Sequence, residues 1–262
     1  MPLLAISETY LPHKGGHVIW LHELCKRMPG TRVITGRQNG CPAEDVIDSV
    51  TVRRILLKRY PFLRPESLVL YGNLGLQALR EAVSHRPQAV LGSRVLPEGL
   101  VANVVGEIAR TRSIVLAHGE EIRTWTRPAE RRRLTGTVKA RLLWQVYKAA
   151  DHVVANSRFT RQLLLDGGVR PEKVALVHPG TDPQRFRPRP ADPGLVRKWN
   201  LEDKRVLLTI GRLSRRKGQD TVLRALPAIR KDFPEVVYVI GGVGVEEERL
   251  RGLAASLDVQ DH

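Results

Sequence analysis

The sequence predicts an α/β fold whose parallel strands form doubly wound sheets. Three observations carry that prediction. Short apolar, β-branched runs alternate with longer helical patterns along nearly the whole chain. Several runs, Leu3-Leu4-Ala5-Ile6 among them, are continuously apolar rather than alternating, as strands covered on both faces require. Glycine-bearing turns recur where a strand pattern gives way to a helical one.

Taken in order, the first stretch reads strand Leu3–Ser7, helix Val18–Arg27, and strands Arg32–Thr35 and Val50–Ile55. Helix Leu74–Ser84, strand Ala89–Leu91, helix Glu98–Ala109 and strand Ser113–Ala117 follow. Helix Thr137–Ala150, strand His152–Ala155, helix Arg158–Leu165 and strand Val174–Val177 complete it. Composition then breaks: residues 182–193 carry four prolines in twelve positions. Proline removes a backbone donor and disfavours helix in the residue before it, so this stretch is expected to be an extended linker. It separates an N-terminal domain, 1–181, from a second domain, 194–262. The second holds strand Val206–Ile210, helix Gln219–Asp232, strand Val236–Ile240 and helix Val245–Leu257. Two strands are thin for an independent parallel sheet. The second domain is therefore expected to be partial, and the chain a fragment or a truncated product.

At 262 residues, with 42% hydrophobic and 27% charged residues, a sizeable packed core is expected and wholesale disorder is not. The formal net charge of +16 favours anionic partners such as phosphate groups, anionic lipid or nucleic acid, without choosing between them. No apolar run approaches the ~20 residues needed to cross a bilayer, and the first residues lack the pattern of a secretion signal. Cys25 and Cys41 are too few for a disulfide framework and have no CxxC spacing. A secreted mini-protein, a membrane-spanning channel and a zinc module are excluded on these grounds.

Several strand-end turns carry residue types suited to chemistry. Gly211-Arg212-Leu213-Ser214-Arg215-Arg216-Lys217-Gly218 leads from a strand into a helix. Free N–H groups at a helix start, with the fixed charges of Arg212 and Lys217, suit a diphosphate. The order is not that of a Walker A loop, and a basic surface turn accounts for the pattern equally well. Gly241-Gly242-Val243-Gly244 permits close approach of a ligand to the backbone but does not fit GxGxxG. Glu246, Glu247 and Glu248 behind it suit the positive end of a helix better than acid–base work. Gly15-Gly16 follows the first strand and opens onto the first helix, either facing an anion or serving the turn alone. His118 stands at the carboxyl end of a strand, where open parallel sheets bind ligands, though a lone histidine is more often structural. Asn156-Ser157 and the turn at 179–182 are explained by capping and turn formation.

The order of these signals resembles glycosyltransferase family 4. The resembling series runs Gly15-Gly16, His118-Gly119, Asn156-Ser157, Val177-His178-Pro179-Gly180-Thr181-Asp182, Gly211-Arg212-Leu213 with Lys217-Gly218, then Gly241-Gly242-Val243-Gly244. The resemblance implies the GT-B architecture, an N-terminal Rossmann-like domain plus here an incomplete second Rossmann-like domain. It implies transfer of a sugar, with retention of configuration, from a nucleotide diphosphate sugar to an acceptor bound on the N-terminal side. By that resemblance Arg212 and Lys217 hold the donor diphosphate and stabilise the departing charge, with no metal or other cofactor required. Gly15 and Gly16 approach the phosphates or the transferred sugar, His118 positions that sugar, and Gly242 and Gly244 line the donor cleft. The acidic Glu-x7-Glu motif of the family has no counterpart before His262, so the chain is expected to turn over weakly or not at all.

The basic residues cluster at 52–64 and among Arg127, Arg131, Arg132, Arg133, Lys139 and Arg141. They suit a lipid-linked or envelope-glycan acceptor and a peripheral place on the inner, cytoplasmic face of the cell membrane. A solvated basic face accounts for them equally. The rival from another class is a non-catalytic module that binds a nucleotide sugar or phosphate. A GT-B epimerase is a more distant one. No nucleic-acid partner is expected, because aromatic RNA-binding motifs, zinc spacings and a recognition helix are lacking.

Overall fold

Strand β1 (Leu3–Ser7) is buried along its whole length. It pairs in parallel with β2 (Arg32–Gly36) on one edge and β5 (Ala89–Gly92) on the other. Its side chains alternate between two cores. Leu3 and Ala5 pack with Val18, Leu21 and Cys25 of helix α1 (Gly16–Cys25). Leu4 and Ile6 pack with Leu74 and Ala78 of α2 (Ser67–His85) and with Val101 and Val105 of α3 (Leu100–Ala109). Helices thus cover both faces, which is why β1 reads as one unbroken apolar run.

This is a computed structural model, and it describes residues 2–13, 15–57, 67–126 and 134–261. The chain divides into two units, Met1–Thr181 and Asp182–His262. In the first, an eight-stranded sheet has the order β3-β4-β2-β1-β5-β6-β7-β8. Its other strands are β3 (Glu44–Ile47), β4 (Val50–Ile55), β6 (Arg112–Ala117), β7 (His152–Ala155) and β8 (Val174–Leu176). All pair in parallel except β3 with β4. Helices α4 (Glu120–Trp125), α5 (Leu134–Ala149) and α6 (Arg158–Asp166) follow β6 and β7. Val115, Val153, Leu143, Tyr147 and Leu164 form the core beneath them.

The second unit contains α7 (Pro193–Lys198), β9 (Arg205–Ile210), α8 (Gln219–Asp232), β10 (Val236–Gly241) and α9 (Glu247–Ser256). β9 and β10 pair in parallel as a two-stranded sheet. Leu213, Leu223, Leu226, Tyr238 and Leu250 make its core, while Val206, Leu208 and Ile210 of β9 face outward and are exposed. No helix among the described residues is long and apolar enough to cross a membrane.

Four local expectations are revised. Edge strand β3 escaped sequence reading because Glu44-Asp45-Val46-Ile47 is short and acidic. It is formed through a two-residue hairpin turn in which Asp48 and Ser49 both take positive φ. α2 begins seven residues before the predicted Leu74. Leu70, Leu74, Ala78 and Ala82 lie on one buried stripe, and their burial outweighs the cost of Gly72 and Gly75. The helix expected from Glu98 starts instead at Leu100, preceded by a wide π-type turn, Val95–Gly99. The predicted linker ends at a helix start, where Asp192 caps α7 through the N–H groups of Gly194 and Leu195.

The π turn lies directly on the end of β5: a Cβ at Gly92 would sit 2.6 Å from the backbone of Gly99. Gly92→Ala is therefore expected to lower stability by about 1–3 kcal/mol, the usual cost of overpacking. Gly72→Ala, whose Cβ would meet nothing within 4 Å, is expected to raise it by roughly 0.5–1 kcal/mol. Urea midpoints of the two variants measure both effects.

Candidate functional site

The strand order reverses between β1 and β5. The chain builds outward from β1 to β2 and β4, then crosses back to begin β5 on the other side. At such a switch point the loops leave in opposite directions and a crevice opens beyond the carboxyl ends of the strands. The residues found there in the first unit are Ser7, which ends β1, and Ser93 and His118, the first residues past β5 and β6.

These residues are tied together. The Ser93 hydroxyl donates to Ser7 Oγ at 2.9 Å, and Ser7 Oγ donates to the Thr9 carbonyl at 2.7 Å. His118 Nε2 lies 2.8 Å from the Ser93 carbonyl. A carbonyl only accepts, so Nε2 carries a hydrogen. The imidazole meets Trp20 edge-on at 5.4 Å and His17 at 6.1 Å between ring centroids. Behind it, the His118 N–H donates to Glu121 Oε1, which also accepts from the buried Tyr147 hydroxyl at 2.8 Å. Burial and the Glu121 carboxylate push the Tyr147 phenol well up. Gly119 has φ +80°, and a Cβ there would stand 2.6 Å from Thr160 Oγ1, so the turn after His118 requires glycine. Ser157 caps α6 by accepting from Thr160 N–H, and Thr160 Oγ1 donates to Asn156, as the capping reading expected.

Gly15 caps α1 without a side-chain hydrogen bond and has extended backbone, φ −159°, open to any residue. A Cβ at Gly16 would meet nothing within 4 Å. Neither position is glycine for the sake of the turn. At Gly16 the missing side chain leaves open space over the helix start, where backbone N–H groups lack intrahelical partners, whereas a Cβ at Gly15 would touch the His17 imidazole at 3.4 Å. Lys14, next to them, lies outside the described residues.

Beside that helix start, an Arg94 guanidinium N–H donates to His17 Nε2 at 2.6 Å. Burial, then the positive charge of Arg94, with further electrostatic contributions from the neighbouring His118 and His13, push the His17 pKa down to about 4. Its imidazole is neutral near pH 7. Glu98, in the π turn, is 1% exposed. Its Oε1 accepts the Glu8 N–H at 2.9 Å.

In the second unit the turns after β9 and β10 interlock. Leu213 N–H donates to the Val243 carbonyl at 3.0 Å and Gly211 N–H to the Gly241 carbonyl at 2.8 Å. A Cβ at Gly242 would fall 1.9 Å from the Gly211 oxygen, and one at Gly244 2.2 Å from the Leu213 oxygen. Backbone approach between the two turns is enough to require glycine at both positions. Gln219, buried at the start of α8, donates to the Arg212 carbonyl at 3.2 Å. Lys217 ends a 3-10 turn, and Gly218 caps α8 with φ +71°. The loop backbone is thereby fixed, while the Arg212 and Lys217 side chains are exposed and have no acidic partner among the described residues. Glu246 is engaged by Arg249 and, at 3.6 Å, by Arg215. Glu247 pairs with Arg251 at 2.9 Å, and together with Glu248 it lies in the first turn of α9, as the dipole reading expected.

The structure thus brings Gly15, Gly16 and His118 to one end of the first sheet, and Arg212, Lys217, Gly242 and Gly244 to one end of the second. His17, Trp20, Ser93, Arg94 and Glu98 were not read from sequence. Ser93 and Arg94 follow β5 as His118 follows β6, so the strand-end rule applied evenly would have found them. Of the basic groups, Arg53 pairs with Glu81. Arg54 is buried and donates to the Leu11 and Pro42 carbonyls. Lys139 and Arg141 are exposed, whereas residues 58–64, Arg127 and Arg131–Arg133 lie outside the described residues.

Residues 14–185 match the family described as Glycosyltransferase Family 4, and residues 195–262 match Glycosyl transferases group 1. A relative from Mycobacterium tuberculosis H37Rv is a GDP-mannose-dependent alpha-(1-6)-phosphatidylinositol monomannoside mannosyltransferase. It is 27% identical over 267 residues, covering 99% of this chain and 66% of its own. A D-inositol 3-phosphate glycosyltransferase from Geodermatophilus obscurus is 31% identical over 243 residues, covering 84% of this chain and 52% of its own. Among solved structures, Anabaena Alr3699/HepE in complex with UDP superposes with a TM-score of 0.75 at 17% identity, covering 100% of this chain and 67% of that one. Sucrose-phosphate synthase from Thermosynechococcus elongatus gives 0.71 at 17% identity, covering 99% and 68%. The chain therefore spans about two thirds or less of the length of these relatives.

The depressed His17 pKa has a definite consequence. Native His17 binds its proton only near pH 4, whereas the unfolded chain does so near 6.5, so its contribution to stability is lost as pH falls through that window. Arg94→Gln is expected to raise the His17 midpoint part of the way toward 6.5, with burial accounting for the remainder. Imidazole NMR titration of both proteins measures this, and an unmoved midpoint would show that Arg94 has no part in it.

Proposed function

The chain belongs to glycosyltransferase family 4, and from that membership we propose that it acts in retaining transfer of a sugar from a nucleoside diphosphate sugar to an acceptor. The fold is of the GT-B type. The observation that carries the proposal is the pair of exposed cations, Arg212 and Lys217, on a backbone-locked turn at the carboxyl ends of two parallel strands. A rigid turn bearing unpaired positive charge is preorganised for a diphosphate, and the same charge stabilises the nucleoside diphosphate as it leaves.

In the first unit, the glycine-opened start of α1 and the His118 imidazole are assigned to the transferred sugar. With Nε2 committed to the Ser93 carbonyl, His118 Nδ1 is the ring nitrogen assigned to a sugar hydroxyl, a positioning role that needs no proton transfer. The two relatives act, by their names, on a phosphatidylinositol mannoside and on D-inositol 3-phosphate, which supports an inositol-type and, for the former, lipid-linked acceptor. GDP-mannose is the donor named for the mycobacterial relative and UDP the nucleotide bound in the Anabaena structure. Both bases are therefore candidates.

Calorimetric titration of the chain with GDP and UDP tests the proposal. Arg212→Ala and Lys217→Ala are each expected to weaken binding of the preferred nucleotide ten- to a hundredfold, the loss of one charge-assisted hydrogen bond of about 1.5–3 kcal/mol. Binding that neither substitution changes would remove the diphosphate from this turn. Binding with no release of nucleoside diphosphate from GDP-mannose or UDP-glucose, by a chain extended to its relatives' length, would favour a binding module over a transferase.

A further inference from the structure

We infer that Glu98 is a positioning residue: one buried carboxyl that sets the spacing between the loop after β1 and the strand end that anchors His118. The inference rests on the transferase reading only for its effect on turnover; the positioning itself is a property of the fold.

The geometry is specific. Glu98 Oε1 accepts the backbone N–H of Glu8, the first residue beyond β1, at 2.9 Å. The same oxygen lies 3.4 Å from the Ser93 hydroxyl, within the residue whose carbonyl receives His118 Nε2. One side chain thus touches both the segment that leads to Gly15 and Gly16 and the residue that orients the imidazole. Gly92 and Gly99 press the π turn against β5, so Glu98 has little room to be anywhere else.

The chemistry of the group is unusual for a structural position. Glu98 Oε2 is buried and has no hydrogen-bond partner, and no ion pair to Glu98 is found among the described residues. Burial raises its pKa against the opposing pull of the Glu8 N–H, its own backbone N–H and Arg94, with the Glu8 carboxylate adding to the rise. Burying a carboxyl where an apolar side chain of similar size would fill the space is costly. Sites that break a packing rule of this kind are those where position matters more than stability.

Two substitutions separate the roles. Glu98→Gln keeps the Oε1 acceptor, while Glu98→Met keeps the unbranched shape and removes both oxygens; Glu98→Leu stands in should the methionine variant fail to fold. In the apolar variant, Glu8 amide hydrogen exchange is expected to speed up at least tenfold and the His118 imidazole resonances to move, with glutamine restoring both. On a chain extended to its relatives' length, kcat is expected to fall at least tenfold in the apolar variant and to return with glutamine, while affinity for GDP is unchanged. The native pKa lies above its unfolded value, so ionisation costs stability progressively as pH rises through it. The Tm of the glutamine variant is accordingly expected to gain on the parent as pH is raised above the ordinary glutamate value of 4.5. Unaltered Glu8 exchange and His118 resonances in the apolar variant would overturn the inference whatever the turnover. Absence of turnover in the parent, with those two readouts behaving as expected, would overturn the transferase reading and leave the positioning role standing.

Discussion

The first unit depends on one constraint, the burial of β1 from both sides. Leu3, Leu4, Ala5 and Ile6 are each at most 2% exposed, and each large side chain among them contributes about 1.5–3 kcal/mol by leaving water. That sum far exceeds the few tenths of a kcal/mol by which local propensities differ. A central strand committed on both faces and both edges can present chemistry only where it ends. Ser7 is that end, and the reversal of strand order beside it draws Ser93, the π turn and His118 into contact. Gly92 and Gly99 follow from the same constraint, since only glycines let the π turn lie on the strand end this closely.

The two units handle charge in opposite ways. In the first, the polar groups around the switch point are withdrawn from water and held by one another: His17 is neutral beside Arg94, and Glu98 is sealed under the Glu8 amide. Interactions in such a setting respond weakly to salt. In the second, Arg212 and Lys217 project from a fixed backbone into solvent, where screening acts over about 8–10 Å at physiological ionic strength. One region is preorganised by burial and the other by backbone geometry, a division in keeping with the proposed roles of positioning a sugar and capturing a diphosphate.

The strands were legible because their signal is local. Leu3–Ser7 and His152–Ala155 are bounded by polar or turn residues, and the structure places strands on those same spans, as it does on Val50–Ile55. Gln219–Asp232 was equally plain, with glycine before it and a basic last turn. β3 was not legible, since its pairing comes from the hairpin at Asp48-Ser49 rather than from apolar alternation. At the site, His118 could be read from its place after a strand. Glu98 could not, because its defining contacts come from Glu8, ninety residues away, and from a π turn that resembles the start of a helix in sequence. The glycines at 242 and 244 were read as letting a ligand approach the backbone, whereas the group that approaches them in the structure is the backbone of the neighbouring turn, visible only in three dimensions.

The most direct test of the account is an amide chemical-shift map of the chain during titration with GDP at about 0.15 M salt, where nonspecific attraction to a basic surface is largely screened. The account predicts saturable shifts concentrated in residues 211–218 and 241–246 of the second unit. Weak shifts spread over exposed arginines throughout the chain, vanishing as salt is raised, would contradict it and reduce the basic turn to part of a solvated positive surface.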